Sequence, residues 1–471
     1  MEKIKCDLLV IGAGSGGLSV AAGASQMGAN VVLLEGHEMG GDCLNYGCVP
    51  SKAIIASARV AHGMTQAAPF GVANAVPQVD YAAVQDHVAE VIAQIAPVDS
   101  QERFEGFGVR VIREFGHFTG PQEVEAGQHR ITARRIVIAT GSTPLVPPIP
   151  GLADVPYLTN ETLWQLRERP EHLVILGGGP IGMEMAQAHR RLGSQVTVIE
   201  AASALNREDP ELAAVVLDKL RGEGVEILEG ARATQVTGGE RITIDTEDGR
   251  QVTGSHLLVA LGRRASTDKL TLEAAGIDAT PQGIKVDAGL KTTNRKVYAI
   301  GDVAGQGQFT HLAGYHAGII VRNAVLGLPA KTRTDHIPRA TYTDPEIAQV
   351  GLTEAEARAS HGAAMEVARF DIGENDRAIA DRRRTGFVKI MVVKGRPVGA
   401  SIVGAQAGEL INFWALVIAN RMKLSQVSGM VSPYPTLTEV NKRAAGAYFS
   451  PRLFDNPTVK RVVRLVQTWL P

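Results

Sequence analysis

Cysteine is scarce here, with three residues in a chain of 471. That excludes a small secreted scaffold stapled by disulfides. No apolar run reaches the roughly 18 residues a membrane-spanning helix needs. The amino terminus, Met1-Glu2-Lys3-Ile4-Lys5-Cys6, runs straight into a strand-like stretch and has none of the layout of a signal peptide. A cytoplasmic protein with no membrane partner is the expectation. The net charge of −1 gives no bulk attraction to nucleic acid or acidic lipid, so no nucleic-acid partner is expected either. What is present in quantity is apolar residue, 45% of the chain, and glycine, at 51 residues. The length is too great for one core, and about three domains are expected. The glycine suits tight turns and close approach to phosphates.

Two of the three cysteines share one stretch, Gly40-Gly41-Asp42-Cys43-Leu44-Asn45-Tyr46-Gly47-Cys48-Val49-Pro50-Ser51-Lys52, which leads into the helix-like run Ala53 to Val60. Cys48 therefore falls at or just before a helix N-terminus, where unpaired N–H groups and the helix dipole favour a thiolate. Lys52 lies four residues on, where its ammonium reaches the same face. Such a pair is suited to opening and closing as a disulfide. The blander readings are two buried free thiols or half a zinc site, and no second Cys/His cluster exists to complete the latter. Cys6 reads as an ordinary core thiol.

A strand, Cys6 to Ile11, is followed by Gly12-Ala13-Gly14-Ser15-Gly16-Gly17, a small-residue helix to Met27, and a second strand, Val31 to Leu34, that ends in Glu35. Gly12, Gly14 and Gly17 stand in dinucleotide-binding order, with Glu35 placed for ribose hydroxyls. The unit recurs: Leu173 to Leu176, then Gly177, Gly179 and Gly182, a helix, Val196 to Ile199, and Glu200. Equal intervals separate the first glycine from the acid in both. Two such units imply two dinucleotides. Glu200 repels a 2′-phosphate, and no Arg or Lys follows it before Arg207, which favours NADH, with NADPH as the alternative donor. The blander reading is that Glu200 only starts a loop.

The cysteine stretch closely resembles the redox-active disulfide of the flavin-dependent pyridine nucleotide-disulfide oxidoreductases, a family that includes glutathione reductase, dihydrolipoamide dehydrogenase and mercuric reductase. The resemblance implies an α/β chain with two Rossmann-like dinucleotide-binding domains, one for FAD and one for NAD, plus an α+β dimerisation domain. It implies FAD binding by residues 1–148 and 269–337, NAD(P)H binding by 149–268, and homodimer formation by 338–471. It places Gly41, Thr140 and Gly141 (in Ala139-Thr140-Gly141) around the flavin, with Asp302 bonding the ribityl chain. Gly262, in Leu261-Gly262-Arg263-Arg264, closes the second unit; Ala265 and Ser266 replace the family's frequent Pro-Asn. Proline-rich Thr143 to Gly151 suits a domain linker. Cys48 is implied as the sulfur that contacts flavin and Cys43 as the one that meets the acceptor. Glu184, two residues after Gly182, is implied as the partner of Lys52, with the pair beside the flavin's reactive nitrogen and the Lys52 cation binding and stabilising reduced flavin. Beyond Pro338, Ala340 to Gly351 matches the start of the dimerisation domain. The runs Gly386–Val393 and Val398–Gly404 read as strands, and Glu409–Met422 reads as a helix with Leu410, Phe413, Trp414, Val417 and Ile418 on one stripe. Arg382-Arg383-Arg384 reads as a solvated turn. His311 and His316 read as polar helix residues without chemistry.

One departure bears on the acceptor. Family disulfide reductases carry His-Pro-Thr-x-Ser-Glu, whose His and Glu reach across the dimer to shuttle protons. This chain reads Tyr434-Pro435-Thr436-Leu437-Thr438-Glu439. Tyr434 stands where that His belongs, and a phenol with a pKa near ~10 is a poor proton carrier at neutral pH. Slow lipoamide or glutathione turnover is the expectation. Mercuric reductases have Tyr at this position, and Val155 to Thr159 and Arg207-Glu208-Asp209-Pro210 resemble them too. Their paired C-terminal cysteines are absent, since the chain reads Gln467-Thr468-Trp469-Leu470-Pro471. The expectation is an NADH-dependent flavoenzyme passing electrons through Cys43–Cys48 to a small-molecule or metal-ion acceptor, mercuric-reductase-like and without a resident metal. The alternatives are a dihydrolipoamide dehydrogenase or other disulfide reductase, and an FAD-binding redox sensor with little turnover.

Overall fold

The computed structural model describes residues 1–470. Backbone contacts divide them into two units, Met1–Ala202 with Val225–Thr332, and Ser203–Gly224 with the chain from Arg333 onward.

The first unit holds two sheets whose cores are parallel and of one design; the first also carries an antiparallel ribbon, Gly116–Gly120 with Glu123–Ala126, against His129–Ile138. In the first, Glu2–Ile11 is central, with Val31–Leu34 and then Arg110–Ile112 on one side and His129–Ile138 on the other; Val297–Ala299 adds to the far edge of His129–Ile138. Leu8, Leu9, Val10 and Ile11 are all buried, so this strand reads as a continuous apolar run, as a strand covered on both faces must. In the second, His172–Leu176 is central, flanked by Gln195–Ile199 and Val225–Leu228 on one side and by His256–Val259 and Tyr157–Leu158 on the other. A short antiparallel ribbon, Ser142–Pro144 with Arg263–Ala265, joins the residues that follow each sheet. The proline-rich stretch expected as a linker begins with this ribbon.

The second unit is built on an antiparallel sheet in the order Arg339–Thr341, Glu346–Gly351, Arg396–Gly404, Phe387–Val393, Met365–Asp371. The helix Ala407–Ala419 buries Leu410, Trp414, Val417 and Ile418 against it, and the Trp414 indole donates to Asn441 Oδ1 at 2.8 Å. Phe413 of the expected stripe is only partly buried. The inserted helix Pro210–Gly222 belongs to this unit by its contacts, although in the chain it lies between two strands of the nucleotide sheet. The arginine run at 382–384 is not merely solvated, because Arg383 pairs with Asp344. Among the described residues, no helix is long and apolar enough to cross a membrane.

Candidate active site

Cys43 lies in the short helix Gly41–Asn45, and Cys48 is the first residue of the helix Cys48–Met64. Both stand as unbonded thiols, Cys48 exposed and Cys43 partly buried. The two sulfurs expected to pair are in hydrogen-bond contact. Cys48 is pulled down to about 6, first by the hydrogen bond from Cys43, with the Thr310 hydroxyl and the Lys52 charge helping against burial. The Thr310 Oγ1 lies 3.4 Å from Cys48 Sγ. Cys43 is pushed up by donating that bond and by burial. The pair is therefore asymmetric, a thiolate at the helix start beside a thiol that supports it.

Lys52 Nζ lies 2.8 Å from Glu184 Oε2. Glu184 sits on the helix Pro180–Arg191 and is almost fully buried, so the sequence-distant pair is a built contact and not a chance surface neighbour.

The two glycine turns match in detail. Gly12 and Gly177 have φ of +106° and +111°, and a Cβ on either would strike a backbone carbonyl of the neighbouring strand end, Ala139 or Ala260. The middle glycines face open space: nothing lies within 4 Å of a Cβ at Gly179, and only Gly41 Cα approaches one at Gly14. Gly17 and Gly182 press on Gly12 and Gly177, which closes the turn onto its helix. Glu35 accepts from the N–H groups of Ala13 (2.6 Å) and His37 (2.7 Å); Glu200 accepts from Gly178 (2.7 Å) and Ala202 (2.8 Å). Two bare backbone cradles at helix N-termini, each with an acid at the next strand end, fit two dinucleotides. Gly141 and Gly262 also have positive φ with open space beside them.

Asp302 follows the strand Val297–Ala299, at the start of a tight turn. Burial raises its pKa against the hydrogen bond from Ser142 Oγ, 2.6 Å from Oδ2. Here lies a network the sequence did not reveal. Arg263 donates through Nε to Ser142 Oγ and through a terminal nitrogen to Ser142 O, both at 2.8 Å, and pairs with Asp42 at 2.9 Å. Asp42 also accepts from Asn160 Nδ2 at 3.0 Å, and Trp164 Nε1 donates to Tyr46 O at 3.1 Å. The cysteine helix is thus held from outside by residues far along the chain. The only available signal was Arg263 directly after a glycine at a strand end. His316, expected as a polar helix residue near the cofactor, is wholly buried in the helix Thr310–Ile320; its Nδ1 accepts from Gly301 N at 3.2 Å and supports the Asp302 turn. Tyr157 packs on the apolar core of the second sheet.

Tyr434 and Glu439 lie in the second unit. The Tyr434 hydroxyl donates to Asp376 Oδ2 at 2.6 Å, and that bond raises its pKa further. Glu439 Oε1 accepts from Arg443 Nε at 3.0 Å.

Residues 6–317 match the family described as pyridine nucleotide-disulphide oxidoreductase, and residues 337–445 match its dimerisation domain. A mercuric reductase of Streptomyces lividans is 35% identical over 457 residues, covering 94% of this chain and 96% of the relative. A dihydrolipoyl dehydrogenase of Bacillus subtilis (strain 168) is 34% identical over 444 residues, covering 92% and 96%. Among solved structures, the Cu(II) complex of the HOCl-induced flavoprotein disulfide reductase RclA from Escherichia coli superposes with a TM-score of 0.83 at 29% identity, covering 93% of this chain and 99% of that one. LpdA from Mycobacterium tuberculosis superposes with a TM-score of 0.86 at 27% identity, covering 94% and 99%.

Proposed function

We propose a function from one premise: the chain belongs to the pyridine nucleotide-disulphide oxidoreductase family. It is an FAD-dependent oxidoreductase that takes electrons from NAD(P)H, and it carries that family's dimerisation domain. FAD would be held by Gly12, Gly14, Gly17, Glu35, Gly41, Thr140, Gly141 and Asp302, in a domain formed by 1–148 and 269–337. The nicotinamide cofactor would be held by Gly177, Gly179, Gly182, Glu200 and Gly262, in 149–268. Glu200 makes NADH the donor, because its carboxylate would face a 2′-phosphate. When bound, FAD supplies the carrier between the nicotinamide hydride and the sulfur pair. Lys52, steadied by Glu184, holds positive charge beside Cys48 and favours anionic groups there. Cys43 is the sulfur offered to the acceptor. The segment from 338 onward would form a cytoplasmic homodimer whose partner subunit brings Tyr434 and Glu439 to the acceptor mouth.

The acceptor we favour is a soft metal ion. Thiolate ligands select such ions, and an ion that receives two electrons directly from the sulfur site needs no base to carry protons. The observation that carries this reading is the Tyr434–Asp376 hydrogen bond: a phenol already donating to a carboxylate gives up its proton near neutral pH even less readily than a free one. The mercuric reductase relative and the copper complex of RclA support the same class of acceptor. The second reading, dihydrolipoamide oxidation, is supported by a dihydrolipoyl dehydrogenase of nearly equal identity. Steady-state oxidation of NADH and NADPH against Hg(II), Cu(II), glutathione disulfide and a quinone, with dihydrolipoamide plus NAD⁺ run in reverse, separates them. Fast turnover with a metal ion and slow turnover with dithiols is expected. Rapid dihydrolipoamide oxidation overturns the metal reading, and no turnover with any acceptor supports a sensor.

A further inference from the structure

We infer that the helix Pro457–Trp469 is an in-plane anchor for an anionic lipid surface. The helix is well formed, with Pro457 in its first turn and the Asn456 side chain accepting from Thr458 N at 2.9 Å. It lies beyond the segment that matches the dimerisation domain, which ends at 445. None of its residues is buried. Its apolar residues, Val459, Val462, Val463, Leu465, Val466 and Trp469, fall within one arc of roughly 160° at ~100° per residue, which also takes in Thr458 of the first turn. Lys460, Arg461, Arg464, Gln467 and Thr468 fill the rest. Trp469 is 80% exposed and Leu465 59%, and the arc is preceded by Phe454 at 69%.

A soluble surface rarely leaves such a stripe uncovered. The charge on the opposite face decides what covers it. It carries three cations and no carboxylate, the pattern of helices that lie at an anionic headgroup boundary with their cationic stems extended toward the phosphates. A tryptophan at one end suits that boundary, with its ring in the apolar layer and its N–H in the wet one. Pairing with the same helix of a second copy would instead set cation rows side by side with no acid to answer them. At ~1.5 Å per residue the helix is far shorter than the roughly 30 Å apolar layer, so it lies on the surface and does not cross it.

The test is flotation of the full-length holoenzyme with two vesicle types: phosphatidylcholine mixed with phosphatidylglycerol, and phosphatidylcholine alone, at low salt. Protein should rise with the anionic vesicles, and added salt should release it. V462D/V466D should abolish flotation, and K460Q/R461Q/R464Q should weaken it by roughly fivefold per cation removed. Both variants should keep wild-type NADH oxidation and wild-type molar mass in solution. A protein that stays down with both vesicles, or rises equally with both, overturns the proposal. So does a fall in molar mass for V462D/V466D, which would assign the stripe to a second copy of the chain.

Discussion

Cys43 and Cys48 are chemically identical and sit in neighbouring helices, yet the fold drives their acidities apart. Position explains it. Cys48 opens a helix and receives hydrogen bonds from Cys43 and Thr310 beside the Lys52 charge, whereas Cys43 is the donor of the first of these bonds. In the reduced protein Cys48 is therefore the sulfur that carries the negative charge near neutral pH. Alkylation of Cys48 by iodoacetamide should therefore reach half its maximal rate near pH 6, and not near the ~8.5 of a free cysteine. Thr310→Val should move that midpoint up by about one unit, since the removed hydroxyl supports the charged form more than the neutral one. A midpoint at the free-thiol value would refute the asymmetry. The sign for stability follows from the same shift. Cys48 contributes fully above the free-thiol value of ~8.5, and that contribution disappears as pH falls through about 6. Cys43, shifted the other way, stabilises at low pH and loses its contribution as pH rises. The two oppose each other in a melting curve, so alkylation is the cleaner readout.

At the level of elements, the glycine turns were legible because their constraint is local. A strand that must turn at once into a helix needs positive φ at its first glycine, and only glycine tolerates the carbonyl of the adjacent strand end there. The acids ending the second strands could be placed for the same reason, and they now hold the turns through backbone N–H groups. Glu200→Gln keeps an acceptor oxygen but removes the charge, so the NADPH-to-NADH ratio of kcat/KM should rise about tenfold; an unchanged ratio would detach Glu200 from cofactor choice. Lys389 was illegible. It reads as one residue of an apolar strand, Phe387–Val393, but is 2% exposed and reaches Asp209 at 2.7 Å, Glu354 at 3.0 Å and Glu211 at 3.3 Å. Two of these acids open the helix Pro210–Gly222. The cluster ties that inserted segment to the second unit, and no periodicity connects positions so far apart in sequence. Lys389→Met leaves Asp209 buried beside unanswered charge and should cost about 3–5 kcal/mol in urea unfolding of this unit. Adding Asp209→Asn should recover part of the loss; strict additivity would mean the ion pair is incidental.

For the whole molecule, the question the sequence narrowed but did not close is the acceptor. Relatives with different named substrates are almost equally similar, so overall likeness has little weight, and the decision falls to the few groups that move protons. The sulfur pair, the Lys52–Glu184 contact and the glycine turns serve any acceptor. On our proposal, position 434 does not. Reducing a disulfide or oxidising a dithiol requires a group that exchanges protons near neutral pH, and the Tyr434 hydroxyl is held as a donor to Asp376. Tyr434→His would place a base with an ordinary pKa near ~6.5 beside the same carboxylate, which can orient an imidazole as it now orients the phenol. Dihydrolipoamide oxidation by NAD⁺ should then rise by about a hundredfold or more, the usual yield of a positioned general base. Turnover with the metal ion should change little, because no proton passes through this position in that reaction. Tyr434→Phe should leave dithiol turnover as slow as in the parent. If Tyr434→His and Tyr434→Phe behave alike, the missing base is not what sets the choice of acceptor, and the preference for a soft metal ion loses its support.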